Sequence, residues 1–399
     1  MPVLGALAEE YRDTQPFAGH TVAVNSHLEA KTGRLIEVIA AAGADVLVTG
    51  SEPYSTQAAV VAALEEHERI TLFVEAGMDE KAWASGQHEL LAASPDLIID
   101  DGCELIAKVH ADHPGVASGV IGAAEQTTAG ITRLEAMESD GILQFPVFGV
   151  NDTPMKHHFD NVHGTGESSL ANLMITTNMM LSGATVVVAG YGFCGRGIAR
   201  KARGLGAQTI VTEVDPRKAL AAYMDGHRVM SLEEAAPKAE YVITATGNRD
   251  VVRAEHAEAM ADGAILANAG HFDVEIDVDA LETAAIRVTT PREGVRQYEM
   301  ADGRRINLLA AGRLVNLTGP VSQGHPAEVM DTTFAMMAVA IEAFTRDSSD
   351  LSPGLHPIPD RLDKAVAELK LDTLDVSIDS LTHRQEAYLH EWNHADMHF

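Results

Sequence analysis

The chain has 399 residues and a formal net charge of −29, from 58 acidic against 29 basic side chains. So acidic a surface repels nucleic acid and anionic membranes, and the sequence lacks the run of roughly eighteen apolar residues that a membrane-spanning helix needs. With 46% hydrophobic and 22% charged residues it reads as a globular protein long enough for two core-bearing domains.

Apolar strands alternate with helical periods along the chain, which predicts an α/β protein. In the first part "HTVAVNSH", "ADVLVTG", "ITLFVEA", "DLIIDDG" and "SGVIGAAE" read as buried strands, with helices over Ala30–Ala42 and Thr56–Glu66 between them. Each strand ends in polar residues, among them Ser26-His27, Gly50-Ser51, Asp100-Asp101 and Glu125-Gln126. Ligands of parallel sheets bind just outside the carboxyl ends of strands, so these tips are candidate site residues by position.

A helix near Ser168–Leu181 opens a second unit, followed by "ATVVVAGYGFCGRGIARKARGLGAQTIVTEVDP" as strand, glycine turn, helix, strand. Further strands are expected at "YVITATG", "AILANAG" and "IRVTT", then a helix over Met330–Thr345, a loop over Asp347–His356 and an amphipathic tail. The fold class predicted is two doubly wound parallel-sheet domains plus a C-terminal helical tail. The first covers residues 1–155, completed by about 320–355; the second covers 156–319; the tail is 356–399.

Gly190, Gly192 and Gly195 form G-x-G-x-x-G between a strand and a helix. The first glycine permits the turn, the second lets a pyrophosphate approach the backbone, and the third allows close packing. The phosphates would rest on the helix N-terminus. Glu213 ends the next strand 23 residues after Gly190, where an acid binds the adenosine ribose hydroxyls. NAD is therefore the expected cofactor; Glu213 would repel a 2′-phosphate, while Arg217 nearby leaves NADP open. The alternative is a glycine turn in an ordinary βαβ unit, and Cys194 reads as a small packing residue.

Upstream, "NDTPMKHHFDNVHGTGESS" concentrates charge and imidazole. Lys156 and Asp160 are four apart and share a face if helical. A lysine beside a carboxylate and a nicotinamide can take a proton from an alcohol as it is oxidised, provided its pKa falls. The same spacing also suits a surface ion pair. A metal site from His157, His158 and His163 matches no common zinc pattern, so no metal is expected.

At this point the sequence resembles the S-adenosylhomocysteine hydrolase family, in its archaeal-type branch. The likeness is carried by "SHLEAKT", "YSTQ", "IDDG", "EQTTAG", "VNDTPMKHHFDN", "VVVAGYGFCGRG", "TEVDP", "TATGNRD", "NAGHFDVEID" and "GRLVN…GHPAEVMD", in the family's order over essentially the whole chain. The resemblance implies a redox-assisted hydrolysis. The substrate ribose 3′-hydroxyl is oxidised to a ketone with NAD⁺ as acceptor, the acidified C4′ hydrogen is removed, and homocysteine leaves from C5′. Water then adds, and the ketone is reduced again.

Carried over by resemblance, the catalytic residues are His27, Asp101, Lys156, Asp160 and His271. Glu29, Lys31, Ser55, Gln57, Gln126 and His325 would contact the substrate, His325 as a gate. The cofactor would meet Thr127, Thr128, Asn161, Gly190, Gly192, Phe193, Cys194, Gly195, Arg196, Gly197, Glu213, Thr246, Asn248, Ala269, Gly270 and Asn316. The family is usually a homotetramer acting on a nucleoside thioether.

The chain departs from the family at Gln126, which replaces a substrate-contacting glutamate and carries no charge, and at Ala129, which replaces a threonine contact to NAD. These changes leave open a relative that binds NAD and nucleoside without turnover. Lys31, a donor, suits the 6-oxo group of hypoxanthine, so the inosyl thioether is an alternative substrate. Thr165 stands where some members carry cysteine, and the C-terminus "EWNHADMHF" lacks the Lys-x-x-x-Tyr tail that many members have. Arginines outnumber lysines 20 to 9, and an acidic, lysine-poor shell keeps a protein hydrated in concentrated salt. Two cysteines without metal spacing, Cys103 and Cys194, and a start lacking a basic stretch and cleavage site predict a cytoplasmic setting.

Overall fold

The structure is a computed structural model that describes residues 1–347, 351–390 and 392. Six strands come first: Thr21–Ser26 (β1), Asp45–Gly50 (β2), Ile70–Leu72 (β3), Leu97–Asp100 (β4), Gly122–Glu125 (β5) and Pro146–Gly149 (β6). Eight follow: Thr185–Ala189 (β7), Gln208–Thr212 (β8), Arg228–Val229 (β9), Tyr241–Thr244 (β10), Ile265–Asn268 (β11), Ala285–Arg292 (β12), Val295–Met300 (β13) and Arg305–Leu309 (β14). The last strand, Gly354–Pro357 (β15), returns to the first group and pairs with β6.

The first sheet runs β15-β6-β5-β4-β1-β2-β3, and every pair is parallel. The second runs β12-β13-β14-β11-β10-β7-β8-β9. Its centre is parallel, as expected of near-continuous apolar runs such as "TVVVA" buried on both faces. Its edge differs: β13 pairs antiparallel with both β12 and β14. The β12 strand, from "IRVTT", is mostly exposed and serves as the sheet edge.

Strand order reverses between β4 and β1 in the first sheet and between β7 and β10 in the second. Those are the two switch points where parallel sheets open a crevice for ligands.

The expected loop over Asp347–His356 is corrected where it can be described, because Gly354–Pro357 is a strand. The expected Thr56–Glu66 helix is shorter, Ala58–Leu64, and the helix expected near Ser168–Leu181 is Thr165–Thr177. The long helix Ala327–Asp347 buries Phe334, Met336, Met337, Ile341 and Phe344 against the first sheet's core. Its Asp331, fully buried, accepts the backbone N–H groups of Val3 and Leu4 at 3.1 and 3.0 Å. That carboxylate occupies the helix Pro2–Thr14 at its positive end.

Candidate active site

The first cluster sits at the β1/β4 switch point. Asp100, the last residue of β4, is turned inward and accepts from Asn25 Nδ2 at 2.8 Å, Ile106 N at 2.9 Å and Asp101 N at 3.0 Å. Glu125, at the end of β5, accepts from the backbone N–H groups of Gly102, Cys103 and Thr127 and from the Thr127 hydroxyl. These two carboxylates fasten the loop after β4 and leave Asp101 facing the cleft. Burial pushes the Asp100 carboxyl up to about 6 and Glu125 well above the usual range, the latter aided by the charges of Asp100 and Asp101.

His27, just past β1, is held from behind by Ser55, whose Oγ lies 2.7 Å from Nδ1. Its Nε2 stands 3.9 Å from Asp101 Oδ2. Burial lowers the His27 pKa to about 4 against the pull of Asp101, so the ring is neutral near pH 7. His271 reaches across from the loop after β11, with Nδ1 3.7 Å from Asp101 Oδ1. Burial also lowers its pKa, again opposed by Asp101. The fit there is tight: a Cβ on Gly102 would lie 2.5 Å from His271 Nε2.

The second cluster lies on the segment joining the two sheets. Thr153 caps the turn Pro154–Lys156, and residues His157–Gly164 continue as a π-helix into the helix Thr165–Thr177. The wider π turn brings residues five apart into register. Lys156 is buried and donates from Nζ to Asn161 Oδ1 at 2.7 Å and Asn151 Oδ1 at 3.4 Å, with Asp160 Oδ1 at 3.5 Å. The Lys156–Asp160 pair is therefore internal, not a surface ion pair.

Asp160 also takes His325 Nδ1 at 3.0 Å and the Thr333 hydroxyl at 2.7 Å. Burial works to raise its pKa, but Lys156, His325 and Thr333 outweigh that and hold the carboxyl below the usual range. His325 Nε2 continues to Thr165 Oγ1 at 3.3 Å, and Thr165 to Cys194 Sγ at 3.5 Å. The loop carrying His325 reaches the first cluster, since a Cβ on Gly324 would lie 3.7 Å from the Glu29 carboxyl. Lys31 forms an ion pair with the buried Glu29 and donates to Gln323 O at 2.6 Å. Burial raises the Glu29 pKa against the pull of Lys31.

The β7/β10 switch point carries the glycine loop. Gly190 has φ +96°, and a Cβ there would lie 2.7 Å from Ala245 O. Around Gly192 nothing comes within 4 Å of a built Cβ, which leaves the open approach a pyrophosphate needs. Gly195 and Gly197 are packing positions: their Cβ atoms would fall 2.0 Å from Gly190 O and 1.9 Å from Val162 O. The glycine helix thus lies directly against the π-helix that follows Lys156 and carries Asp160 and Asn161.

Glu213 accepts Tyr191 N at 2.7 Å and Val214 N at 2.7 Å, which fixes its carboxylate beside the loop. Arg217 is 90% exposed and tied to Asp215 through Nε and Nη2. Asn316 is buried, donates to Ser168 Oγ at 3.1 Å, and has a bare Oδ1 suited to an amide N–H. A fixed carboxylate for the ribose, an open glycine for the diphosphate and a bare amide oxygen fit NAD.

Other expected residues sit less tightly. Thr127 caps the helix Thr128–Ser139, while Thr128 and Asn248 are exposed. Ala269 and Gly270 follow β11, and Gly270 N donates to Asn268 Oδ1 at 2.7 Å. Arg196 lies over the Tyr191 ring at 5.4 Å, and Phe193 stacks on His157 at 4.1 Å. His157, with His158 edge-on to it, is thereby part of an aromatic contact. Gln57 heads the helix Ala58–Leu64, and Gln126 is buried with its Oε1 unpartnered.

Sequence reasoning missed Asn151, Thr333 and Glu275. The Glu275 carboxylate is buried and accepts from Thr246 N, Thr246 Oγ1 and Gly247 N, shaping the loop after β10. Three acids alternate with apolar residues in "HFDVEID", and nothing in that pattern singles out Glu275 as the buried one.

Comparison with known proteins gives the family. A family model described as "S-adenosyl-L-homocysteine hydrolase" matches residues 1–113, and one described as "S-adenosyl-L-homocysteine hydrolase, NAD binding domain" matches residues 161–322. The chain is 50% identical over 395 residues to an adenosylhomocysteinase of Haloquadratum walsbyi, covering 99% of this chain and 91% of that one. It is 49% identical over 393 residues to an S-inosyl-L-homocysteine hydrolase of Methanopyrus kandleri, covering 98% and 92%. An adenosylhomocysteinase of Archaeoglobus fulgidus is 47% identical over 392 residues, covering 98% and 96%. The chain therefore belongs to the S-adenosyl-L-homocysteine hydrolase family, including that family's NAD-binding domain.

Proposed function

We propose that the protein catalyses the reversible, NAD-dependent hydrolysis of S-adenosyl-L-homocysteine to adenosine and L-homocysteine. The observation that carries this is the buried Lys156, wedged by the π-helix between the glycine loop and a cleft that also holds His27 and Asp101. Bound at the glycine loop, NAD supplies a reversible oxidant for the ribose C3′. Lys156 is placed to take the 3′-hydroxyl proton once its amine is neutral, and its neighbours Asn161, Asn151 and Asp160 then hold the ammonium that results. Asp160 has a second carboxylate oxygen on Thr333 and so stays fixed toward the sugar.

With C3′ a ketone, the C4′ hydrogen is acidic enough for a carboxylate or neutral imidazole. His27 and Asp101 share this work: one removes the proton, and the pair protonates the departing sulfur and later activates the water that adds at C5′. The neutral state of His27 supports the base role. His325, hydrogen-bonded to Asp160, would gate the cleft.

The substrate unit would be residues 1–155 completed by about 320–355, the cofactor unit 156–319 and the tail 356–399; pairing of β15 with β6 supports the return. Exposed apolar side chains at Ile175, Met179 and Met180, and separately at Leu220, Tyr223 and Met224, support a homo-oligomer. Among the described residues no helix is long and apolar enough to cross a membrane, which agrees with a cytoplasmic enzyme.

A second reading, S-inosyl-L-homocysteine as substrate, is favoured by Lys31, a donor at the cleft near His325. Both readings are tested by free-thiol release from the adenosyl and inosyl thioethers in parallel, at high salt and with NAD bound. Release from the adenosyl compound, lost in Lys156→Met with NAD content unchanged, is expected. Release from the inosyl compound alone transfers the assignment to that substrate, and none from either eliminates hydrolysis.

A further inference from the structure

Three side chains from separate loops converge in the cleft without touching. His27 follows β1, Asp101 follows β4 and His271 follows β11, so the first sheet contributes two and the second contributes one. The Asp101 oxygens stand 3.9 Å from His27 Nε2 and 3.7 Å from His271 Nδ1, too long for hydrogen bonds. The three donor atoms all lie within 4.8 Å of one another.

Asp101 is only 1% exposed, and both of its carboxylate oxygens lack a hydrogen-bond partner among the described residues. A buried carboxylate left bare is costly and is stabilised by a cation. The imidazole beside it is already oriented: Ser55 engages His27 Nδ1 at 2.7 Å, which aims Nε2 at Asp101, and the tautomer protonated on Nδ1 offers the Nε2 lone pair to an ion. A hydrogen bond on one ring nitrogen is how metal-binding histidines are commonly aimed.

We propose that His27, Asp101 and His271 bind one borderline divalent transition-metal ion, of the Zn²⁺ or Co²⁺ type, which inhibits the protein by bridging its two sheets. Two imidazoles and one carboxylate are the donor set such ions prefer, whereas Mg²⁺ and Ca²⁺ call for shells made of oxygen. Zinc bonds of about 2.0–2.2 Å put tetrahedral ligands about 3.4 Å apart. Those two contacts are to different Asp101 oxygens, so for one oxygen to serve both rings the donor atoms, now within 4.8 Å of one another, must close by up to about 1.4 Å (4.8 less about 3.4). His271 sits on the loop between β11 and the helix Val278–Ala284 and can supply that movement. The remaining coordination position opens to the cleft for water or substrate.

Once bound, the ion occupies the His27 lone pair and the Asp101 carboxylate and ties the loop after β11 to the tips of β1 and β4. Among the described residues, no other group of histidines and carboxylates brings three donors this close. His88 Nδ1 and His113 Nε2 already engage each other at 2.9 Å, and His157 is stacked on Phe193.

The test is titration of NAD-loaded protein with Co²⁺ in 1 M KCl, which screens the acidic surface, following the visible d–d absorption and the ion retained per chain. One Co²⁺ per chain with intense four- or five-coordinate absorption is expected. Binding should weaken about 100-fold or more in both His271→Ala and the near-isosteric Asp101→Asn, and persist in His88→Ala. Uptake that survives either site substitution, or that His88→Ala removes, overturns the proposal. Absorption reports binding whether or not the protein turns over a thioether, so this outcome is separate from that of the thiol assay.

Discussion

At His27, burial and chemistry are opposed. Burial lowers its pKa to about 4, Asp101 works against that, and His271 and His325 add to the lowering. Between pH 4 and the ordinary histidine value of about 6.5, the unfolded chain holds a proton that the folded chain does not. Stability from this group therefore rises with pH across that window and is flat above it. The full difference is about 3 kcal/mol. Asp100 acts oppositely: burial lifts it to about 6, so the folded chain keeps a proton there, and its contribution falls as pH rises. The two effects offset each other in the intact protein, and a single substitution separates them. His27→Asn is expected to gain on the parent by up to about 3 kcal/mol as pH falls from 6.5 to 4, in urea unfolding at constant salt. A pH-independent difference would mean the ring is not held neutral. His27 and Asp101 were legible in the sequence because each follows an apolar strand. Thr333 was not, since its partner Asp160 is 173 residues away and no local spacing encodes the pair.

At the scale of elements, the decisive contact joins the glycine helix to the π-helix. Lys156 and Asp160 were readable as an i,i+4 pair, but the closer partner is Asn161, five along, which a 3.6-residue period does not align. Nothing in "HHFDNVHG" announces a π turn. The close approach of the two helices supplies its packing reason, since Gly197 and Gly166 both lack room for a Cβ there. The glycines of one loop should therefore fail in different ways. At Gly192 φ is −70° and a Cβ meets nothing within 4 Å, so Gly192→Ala should fold with parent-like stability and bind NAD at least tenfold more weakly. At Gly197 a Cβ would lie 1.9 Å from Val162 O, so Gly197→Ala should lower stability by about 1–3 kcal/mol and misalign Lys156 as well. Urea unfolding and NAD content read both effects; equal stability losses in the two variants would contradict this division. Among the described residues β6, β9, β13, β14 and β15 escaped sequence reading; of the pair β6 and β15, "GLHP" has neither alternation nor a β-branched residue. Their pairing is set by a partner 208 positions away.

At the scale of the whole molecule, side chains from the loops of the two sheets meet beside the His27–Asp101–His271 cluster. Besides His271 at Asp101, Arg313 lies over the Tyr54 ring at 3.9 Å, within 4.0 Å of Glu80 and 3.8 Å of Asp273. Glu52 beside it is pushed up to about 7 by burial and the charge of Asp273, against the pull of Arg313. A cation–π contact of this kind is worth about 0.5–2 kcal/mol, so Arg313→Ala should lower kcat/KM roughly 2- to 30-fold by weakening closure. An unchanged kcat/KM would remove this contact from closure. These attractions work against a net charge of −29 carried by both sheets. Most ion pairs across the surface involve exposed side chains and contribute about 0–1 kcal/mol each, whereas self-repulsion sums over every unpaired acid. The Debye length falls from about 30 Å at 0.01 M salt to about 3 Å at 1 M. Repulsion between acids farther apart than that is removed, while buried contacts such as Lys156 with Asp160 are barely screened. Repulsion should therefore dominate the salt response, and Tm is expected to climb by about 10 °C or more between 0.05 and 2 M KCl. A matched series in NaCl separates screening from specific ion binding, because screening depends on ionic strength alone. A Tm that falls with salt would mean the surface ion pairs, and not the net charge, govern stability.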